Sequence, residues 1–284
     1  MELKLSIEGA KEYSSRSQQI RVISESWVNK YIYCPNCGDS LYNFENNKPV
    51  ADFYCAKCSE EYELKSKQGV VEKKIVNGAY STMIERLISN NNPNFFFLTY
   101  DKATFKIRNF LVIPKYFFVP EIIEKRKPLN ISARRAGWVG CNIVVNNIPE
   151  LGKIFYIQNG VVNNRNDVLY KWSRTEFVKS AHDIEAKGWM LDVLICVERI
   201  KEKEFSLEEV YKFESFLKEK HPNNNVKAKI RQQLQFLRDR KVIDFIERGK
   251  YRMSVVVKHN FWKGTCKNQM TELYKLKIIS KKVM

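Results

Sequence analysis

The chain has 284 residues, enough for one large domain or for a medium domain followed by a small one. Its 49 Lys and Arg residues outnumber 32 Asp and Glu residues, and the net charge of +17 favours a polyanionic partner such as nucleic acid over a surface made basic only for solubility. Because 44% of the residues are hydrophobic, the composition excludes a disordered basic tail and predicts a folded protein, which we expect to contain two domains.

The N-terminus, MELKLSIEGAKEY, alternates apolar and charged residues and lacks the continuous apolar core of a signal peptide. No apolar run approaches the length needed to cross a bilayer. These features predict a cytoplasmic protein with no membrane partner. Seven cysteines, an odd number, do not suggest a disulfide framework and fit a reducing compartment.

The first two thirds of the chain mix helical and strand patterns. Apolar spacing over residues 18–31 predicts an amphipathic helix, and residues 81–90 fit a second one. Strands are predicted where aromatic and β-branched residues lie between Asn, Pro and Gly, at 51–54, 62–65, 95–100, 105–113 and 153–158. This order predicts a mixed α/β sheet domain over residues 1–182.

Helical patterns replace strand patterns after this point. Helices are predicted at 189–200, after a capping box that starts at Ser206, and at 226–238, and a hairpin follows at 242–251. Three helices followed by a hairpin are typical of a winged helix-turn-helix. We therefore assign residues 183–254 to a winged-helix domain and leave the basic tail, residues 255–284, unassigned.

Two Cys-x-x-Cys pairs separated by 17 residues are the strongest local signal in the sequence. This spacing is typical of two-knuckle zinc sites, and four thiolates close a tetrahedron that leaves no position open for substrate. The pattern predicts a structural Zn²⁺ ion, and ordinary buried or redox cysteines are the alternative. The predicted ligands are Cys34, Cys37, Cys55 and Cys58. The other cysteines, Cys141, Cys196 and Cys266, are predicted to be packing residues.

An acidic and basic triad surrounds the second cysteine pair. Asp52 precedes it, and Glu63-Leu64-Lys65 follows it on a predicted strand. Strand side chains alternate, so Glu63 and Lys65 share one face while Tyr62 and Leu64 point into the core. Two carboxylates and the backbone carbonyl of Leu64 suit Mg²⁺, and a lysine ammonium can stabilise charge that develops during phosphodiester hydrolysis. Ordinary charge alternation on a solvent-facing strand is the alternative.

The combined motifs resemble a known family. The segments YCPNCGD, PVADFYC and CSEEYELKSK, together with NNPNFFFLTY, KIRQQLQFLRD and RGKYR, are similar to the DpnI family of methyl-directed, type II restriction endonucleases. The resemblance implies a PD-(D/E)xK nuclease fold with an inserted four-cysteine zinc knuckle, followed by a winged helix. It also implies cleavage of double-stranded GATC sites whose adenine is N6-methylated, with Asp52, Glu63 and Lys65 as catalytic residues. The tail after Arg252 does not match.

Two regions are predicted to read DNA. The first is Arg134, Arg135 and Trp138, where guanidiniums can bind phosphates or guanine edges and the indole can meet a methyl group. The second is the helix carrying Lys227, Lys229, Arg231, Gln232, Gln233 and Gln235. Residues 225–252 contain nine basic and three acidic side chains, a local net charge of +6. A core tryptophan and a solvated helical face are the respective alternatives.

Two other functions compete with a nuclease. A zinc-ribbon and winged-helix regulator that binds DNA without cutting explains the charge, the cysteines and the helices, but it does not need Asp52, Glu63 and Lys65. A metal-dependent hydrolase of small phosphates does not explain a second basic domain. The three histidines, His182, His221 and His259, lie outside every motif and are predicted at the surface. We expect the protein to be a monomer.

Overall fold

The computed structural model describes residues 1–10, 12–44, 51–70, 73–89 and 91–254. The basic tail, Cys266 and His259 therefore lie outside the described residues. The N-terminal part contains α1 (Arg16–Tyr31), β1 (Tyr42–Asn43), β2 (Phe53–Tyr54), β3 (Glu61–Gln68), β4 (Lys74–Ala79), α2 (Tyr80–Ile88), β5 (Asn94–Tyr100), β6 (Ile107–Ile113), β7 (Ile123–Lys125), β8 (Gly140–Val144), β9 (Ile154–Gln158), β10 (Val161–Val162) and α3 (Arg165–Ser173).

A seven-stranded mixed sheet forms the centre of this part, in the order β1-β2-β3-β5-β6-β9-β10. Strands β3 and β5 pair in parallel, and the other neighbours in the sheet pair antiparallel. The predicted mixed α/β fold is confirmed. A second, three-stranded antiparallel sheet, β4-β8-β7, was not predicted from the sequence.

Strand β5 is buried along its whole length, because both faces of the central sheet are covered. Phe96 and Leu98 point to the face that α1, α3 and the cysteine knuckles cover. Phe95 and Phe97 point to the opposite face, where they join a core that continues through α2 and the second sheet into the C-terminal helices. Alternation of side chains along one strand thus supplies two hydrophobic cores.

The C-terminal part forms a helix-turn-helix with a three-stranded sheet, in the order β11-β13-β12. Its elements are α4 (Ile184–Ile200), β11 (Glu204–Ser206), α5 (Leu207–Tyr211), α6 (Glu214–Lys220), α7 (Val226–Asp239), β12 (Ile243–Glu247) and β13 (Lys250–Met253). The predicted capping box at Ser206 is present. The expected second helix is broken into α5 and α6.

The surface prediction for His221 is wrong. Its side chain is buried, stacks on Trp189 with ring centroids 4.0 Å apart, and lies 2.9 Å from the Asp192 carboxylate. His221 directly follows α6, and the end of α6 places its side chain against α4. The prediction failed because a polar residue with a buried partner has no distinct sequence pattern.

Helix α4 joins the two parts of the molecule. Every residue from 188–198 is buried, as expected for a helix that packs on all sides. The carboxylate of Glu198 accepts hydrogen bonds from the backbone N–H groups of Glu150 and Leu151, at 2.8 and 3.1 Å. These donors begin a short 3-10 helix next to β9, so a buried acid of the C-terminal part is bonded to the backbone of the N-terminal part.

Glu198 should make stability depend on pH. Burial raises its pKa to about 7 from an ordinary value of 4.5, against the opposing effect of the two N–H donors. Its stabilising contribution is therefore complete below the unfolded-state pKa and is lost as the pH rises through 7. Between about pH 5.5 and 8.5, we expect the free energy of unfolding to fall by about 2 kcal/mol more for the parent than for Glu198→Gln.

Chemical denaturation of both proteins at the two pH values measures this difference. Glu176→Gln is the matched control, because its exposed carboxylate pairs with Lys179 and is not among the groups that shift the pKa of Glu198. Parallel pH profiles for the parent and Glu198→Gln would contradict the assignment.

Candidate functional site

The four predicted zinc ligands converge. The sulfur atoms of Cys34, Cys37, Cys55 and Cys58 all lie within 4.8 Å of one another. Among the described residues, no other group of three or more His, Cys, Asp or Glu side chains is as compact. Four thiolates at this spacing fit a tetrahedral Zn²⁺ ion with no open coordination position. The four cysteines could therefore hold a Zn²⁺ ion in a closed site.

The two cysteine knuckles repeat the same backbone geometry. In the first, Cys34 donates its N–H to Asp39 and accepts from Gly38, both at 2.8 Å. In the second, Cys55 donates its N–H to Glu60 and accepts from Ser59, both at 2.9 Å. The turns need a positive φ at the residue after each pair, which Gly38 adopts at +81° and Ser59 at +58°. Each turn holds two sulfur atoms on one side of the backbone.

Tyr62 connects the cysteine cluster to strand β3. Its buried hydroxyl lies 3.1 Å from the sulfur of Cys34, and a phenol hydroxyl can donate to a thiolate there. Tyr62 belongs to β3 and is the neighbour of Glu63. Helix α3 supports the same cluster, because Trp172 donates its indole N–H to the Asn36 side chain at 3.2 Å. The cluster is thus fixed to both the sheet and a helix.

Asp52 and Glu63 face each other across the start of the hairpin. Strand β2 pairs with β3 so that Phe53 is opposite Tyr62, and continuing this register puts Asp52 opposite Glu63. The Asp52 N–H bonds the carbonyl of Tyr62 at 2.9 Å, and its Oδ2 accepts the N–H of Leu64 at 2.7 Å. The carbonyl of Leu64 opens to the same side as its N–H, toward Asp52.

Lys65 pairs with Glu63 on the same face of β3. Burial raises the pKa of Glu63, the ammonium of Lys65 lowers it, and the charge of Asp52 adds to the rise. The side chains of Asp52, Glu63 and Lys65 are 20%, 15% and 26% exposed. They are therefore largely enclosed but still accessible to solvent. Tyr62 is buried and Leu64 packs against the core, as predicted.

These side chains line an open cleft of about 750 Å³ between α1, β3, β5 and β4. The lining also includes Arg21 and Glu25, two charged residues of α1 that the sequence analysis did not assign to the site. Their spacing of four places them on one side of the helix, which was the available signal. Only the packing of α1 on the sheet turns that side toward Asp52. The oxygen ligands of Asp52, Glu63 and Leu64 are a hard donor set that fits Mg²⁺.

The first predicted DNA-reading region lies on the loop between β7 and β8. Arg134 and Arg135 are exposed, and Trp138 is half-buried. The guanidinium of Arg135 lies 4.9 Å from the centre of the Trp138 ring, a cation–π arrangement that limits the freedom of the arginine. Gly137 has φ of +77° and donates its N–H to Leu129 at 3.0 Å, which closes the loop.

The second region is helix α7. The side chains of Lys227, Arg231, Gln232 and Gln235 are exposed, and Lys229 is half-buried. Gln233, which was grouped with them, is only 7% exposed and lies on the buried face with Ile230 and Leu237. It follows Ile230 by three residues, so helical periodicity directs it inward. Gln233 is therefore removed from the set of side chains available to bases.

The fold and the site define a two-part protein, an α/β nuclease-type domain with a four-cysteine knuckle and a helix-turn-helix. Comparison with family models matches residues 1–181 to DpnI, the Dam-replacing family, and residues 185–253 to its Dam-replacing HTH domain. The chain belongs to the DpnI family. This membership supports a methyl-directed restriction endonuclease that binds DNA. Within the described residues, no helix is long and apolar enough to span a membrane.

Proposed function

We propose that this protein is a type II restriction endonuclease that hydrolyses double-stranded DNA at GATC sites containing N6-methyladenine. The observation that carries the proposal is the grouping of Asp52, Glu63 and Lys65 in one cleft beside the cysteine cluster. The target sequence and the methyl requirement come from the family resemblance. The enzyme acts as a monomer in this proposal, with residues 1–182 as the nuclease domain and residues 183–254 as the winged helix.

Each residue of the site has a specific role in this proposal. Asp52, Glu63 and the carbonyl of Leu64 would hold Mg²⁺, and the bound ion would supply Lewis-acid stabilisation of the phosphate. Asp52 is oriented by the N–H of Leu64, so its other oxygen remains for the cation. Lys65 carries its ammonium beside Glu63, where it can orient a nucleophilic water and stabilise developing negative charge. The half-enclosed cleft strengthens both interactions by limiting solvent.

Plasmid DNA prepared from adenine-methylating and non-methylating hosts tests the proposal directly. With Mg²⁺, we expect cleavage of the methylated plasmid only, and sequencing of the ends should place every cut within GATC. Cleavage of both plasmids, or ends outside GATC, would contradict the specificity. Binding to DNA with no cleavage of either plasmid would favour the regulator that binds without cutting.

Methyl recognition needs more than one contact. Burial of one methyl group is worth about 0.8 kcal/mol, or roughly fourfold in affinity, and the two methyls of a palindrome give only about fifteenfold. We therefore include two readers in the proposal. Arg134, Arg135 and Trp138 form one, and the available α7 side chains form the other, namely Lys227, Lys229, Arg231, Gln232 and Gln235.

Full-length protein suits the test of two readers, since a fragment without the N-terminal part would expose the buried α4. We expect Gln232→Ala combined with Gln235→Ala to lower the preference for methylated over unmodified duplex, measured as a ratio of dissociation constants in Ca²⁺. Lys218→Ala, at an exposed position on α6, is a control expected to leave the ratio unchanged. An unaltered ratio in the double variant would contradict a reading role for these two glutamines.

A further inference from the structure

Arg21 connects α1 to the carboxylates of the cleft. Its Nε lies 2.6 Å from Oε1 of Glu25, one helical turn along α1, and its Nη2 lies 3.5 Å from Oδ1 of Asp52. The Arg21 side chain is 67% exposed, whereas those of Glu25 and Asp52 are 21% and 20% exposed. The carboxylates therefore belong to the cleft wall, and the guanidinium reaches them from the solvent side.

The guanidinium of Arg21 is paired with Oδ1 of Asp52, the oxygen that a cation would need. The other oxygen, Oδ2, already accepts the N–H of Leu64 at 2.7 Å, so Oδ1 is the one left for a divalent ion. A positive guanidinium at Oδ1 repels a cation that approaches the same carboxylate. Since Arg21 is largely exposed and is bonded through Nε to Glu25, it can leave Asp52 while Glu25 keeps it at the cleft.

We propose that Arg21 is a positioning residue that exchanges between Asp52 and a DNA phosphate, so that entry of DNA into the cleft strengthens binding of the divalent cation. The inference rests on the proposed nuclease function. Guanidinium groups bind phosphate oxygens with paired, charge-assisted hydrogen bonds, so the DNA backbone is a suitable second partner. Because binding free energies are reciprocal, the cation must strengthen DNA binding by the same factor.

The competition between Arg21 and the cation at Asp52 is tested by Mn²⁺ binding to the zinc-loaded, full-length protein without DNA. Electron paramagnetic resonance is the readout. Mn²⁺ is too weak a thiolate partner to displace zinc from the cysteine cluster. We expect Arg21→Gln to bind Mn²⁺ about 1.5-fold to fivefold more tightly than the parent, the range set by one exposed ion pair. Arg21→Lys keeps the charge and should bind close to the parental value.

Arg108→Gln is the matched control, because Arg108 is an exposed arginine paired with Asp101 at 3.0 Å on the same domain. It lowers the net charge equally and should leave Mn²⁺ affinity unchanged. Equal affinities of the parent and Arg21→Gln overturn the exchange. A Mn²⁺ affinity that survives Asp52→Asn would instead overturn the metal site of the proposed function, and the exchange with it.

The binding of Arg21 to a DNA phosphate is tested by the salt dependence of DNA affinity. Each arginine that neutralises a phosphate contributes about 0.9 to the slope of log affinity against log salt concentration. We expect Arg21→Gln to lose part of this slope on methylated duplex, and to lose more of it in Ca²⁺ than without divalent ions. The same loss under both conditions, or no loss in Ca²⁺, overturns the exchange.

Discussion

Replacement of Lys65 by Met is expected to slow cleavage of methylated plasmid by about 100-fold to 1000-fold at saturating DNA and Mg²⁺. Methionine keeps an unbranched side chain in the cleft and removes the ammonium next to Glu63. Loss of this charge removes stabilisation of the transition state. It also raises the pKa of Glu63 further, because Lys65 is the main group that lowers that pKa. Initial rates across a pH series measure both effects.

The pH profile separates a catalytic role from a structural one. Glu63 must be ionised to hold a cation, so the acid limb of the rate profile should move to higher pH in Lys65→Met. Lys67→Met is the matched control, because Lys67 lines the same cleft and lies on the same strand, two residues after Lys65. We expect that control to alter DNA affinity more than the rate at saturation. Lys65→Met protein that cuts at the parental rate would refute the proposed site.

Local spacing was enough to predict that the four cysteines cluster and that Asp52, Glu63 and Lys65 lie in one cleft. The cysteine pairs lie on short turns, and Asp52 and Glu63 are joined by the hairpin that carries the second pair, so few residues separate the groups that meet. The same locality explains the correct assignment of α1 and of the last helix, whose apolar stripes are continuous. Sequence analysis therefore predicted which side chains meet at the floor of the cleft.

Groups brought together by distant packing were missed. Strand β4 pairs with β8, more than sixty residues later in the chain, and neither strand has a strong alternating pattern. Arg21 and Glu25 were not assigned to the site, because only the docking of α1 on the sheet directs them to Asp52. Tertiary contacts of this kind override local propensity, and they set the walls of the cleft although its floor was predictable.

Loss of zinc should unfold the hairpin that carries Asp52. Strands β1 and β2 have two residues each and share only a short ladder, too little to persist without another constraint. Structural zinc contributes about 10 kcal/mol or more to small domains, which is comparable with the entire net stability of a typical protein. We expect Cys58→Ser protein to lose its zinc and its cleavage activity, with a thermal midpoint lower by about 10 °C or more.

Cys141→Ser is the matched control, since Cys141 is buried but lies outside the cluster. It should retain one zinc per chain by elemental analysis. The experiment uses variants in excess Mg²⁺, because a chelator would remove both metals and confound their roles. Full zinc content and activity in Cys58→Ser would contradict the proposed structural role of zinc. Loss of zinc with activity intact would mean that the Asp52 and Glu63 strands hold their register alone, through the Tyr62 and Leu64 backbone bonds to Asp52.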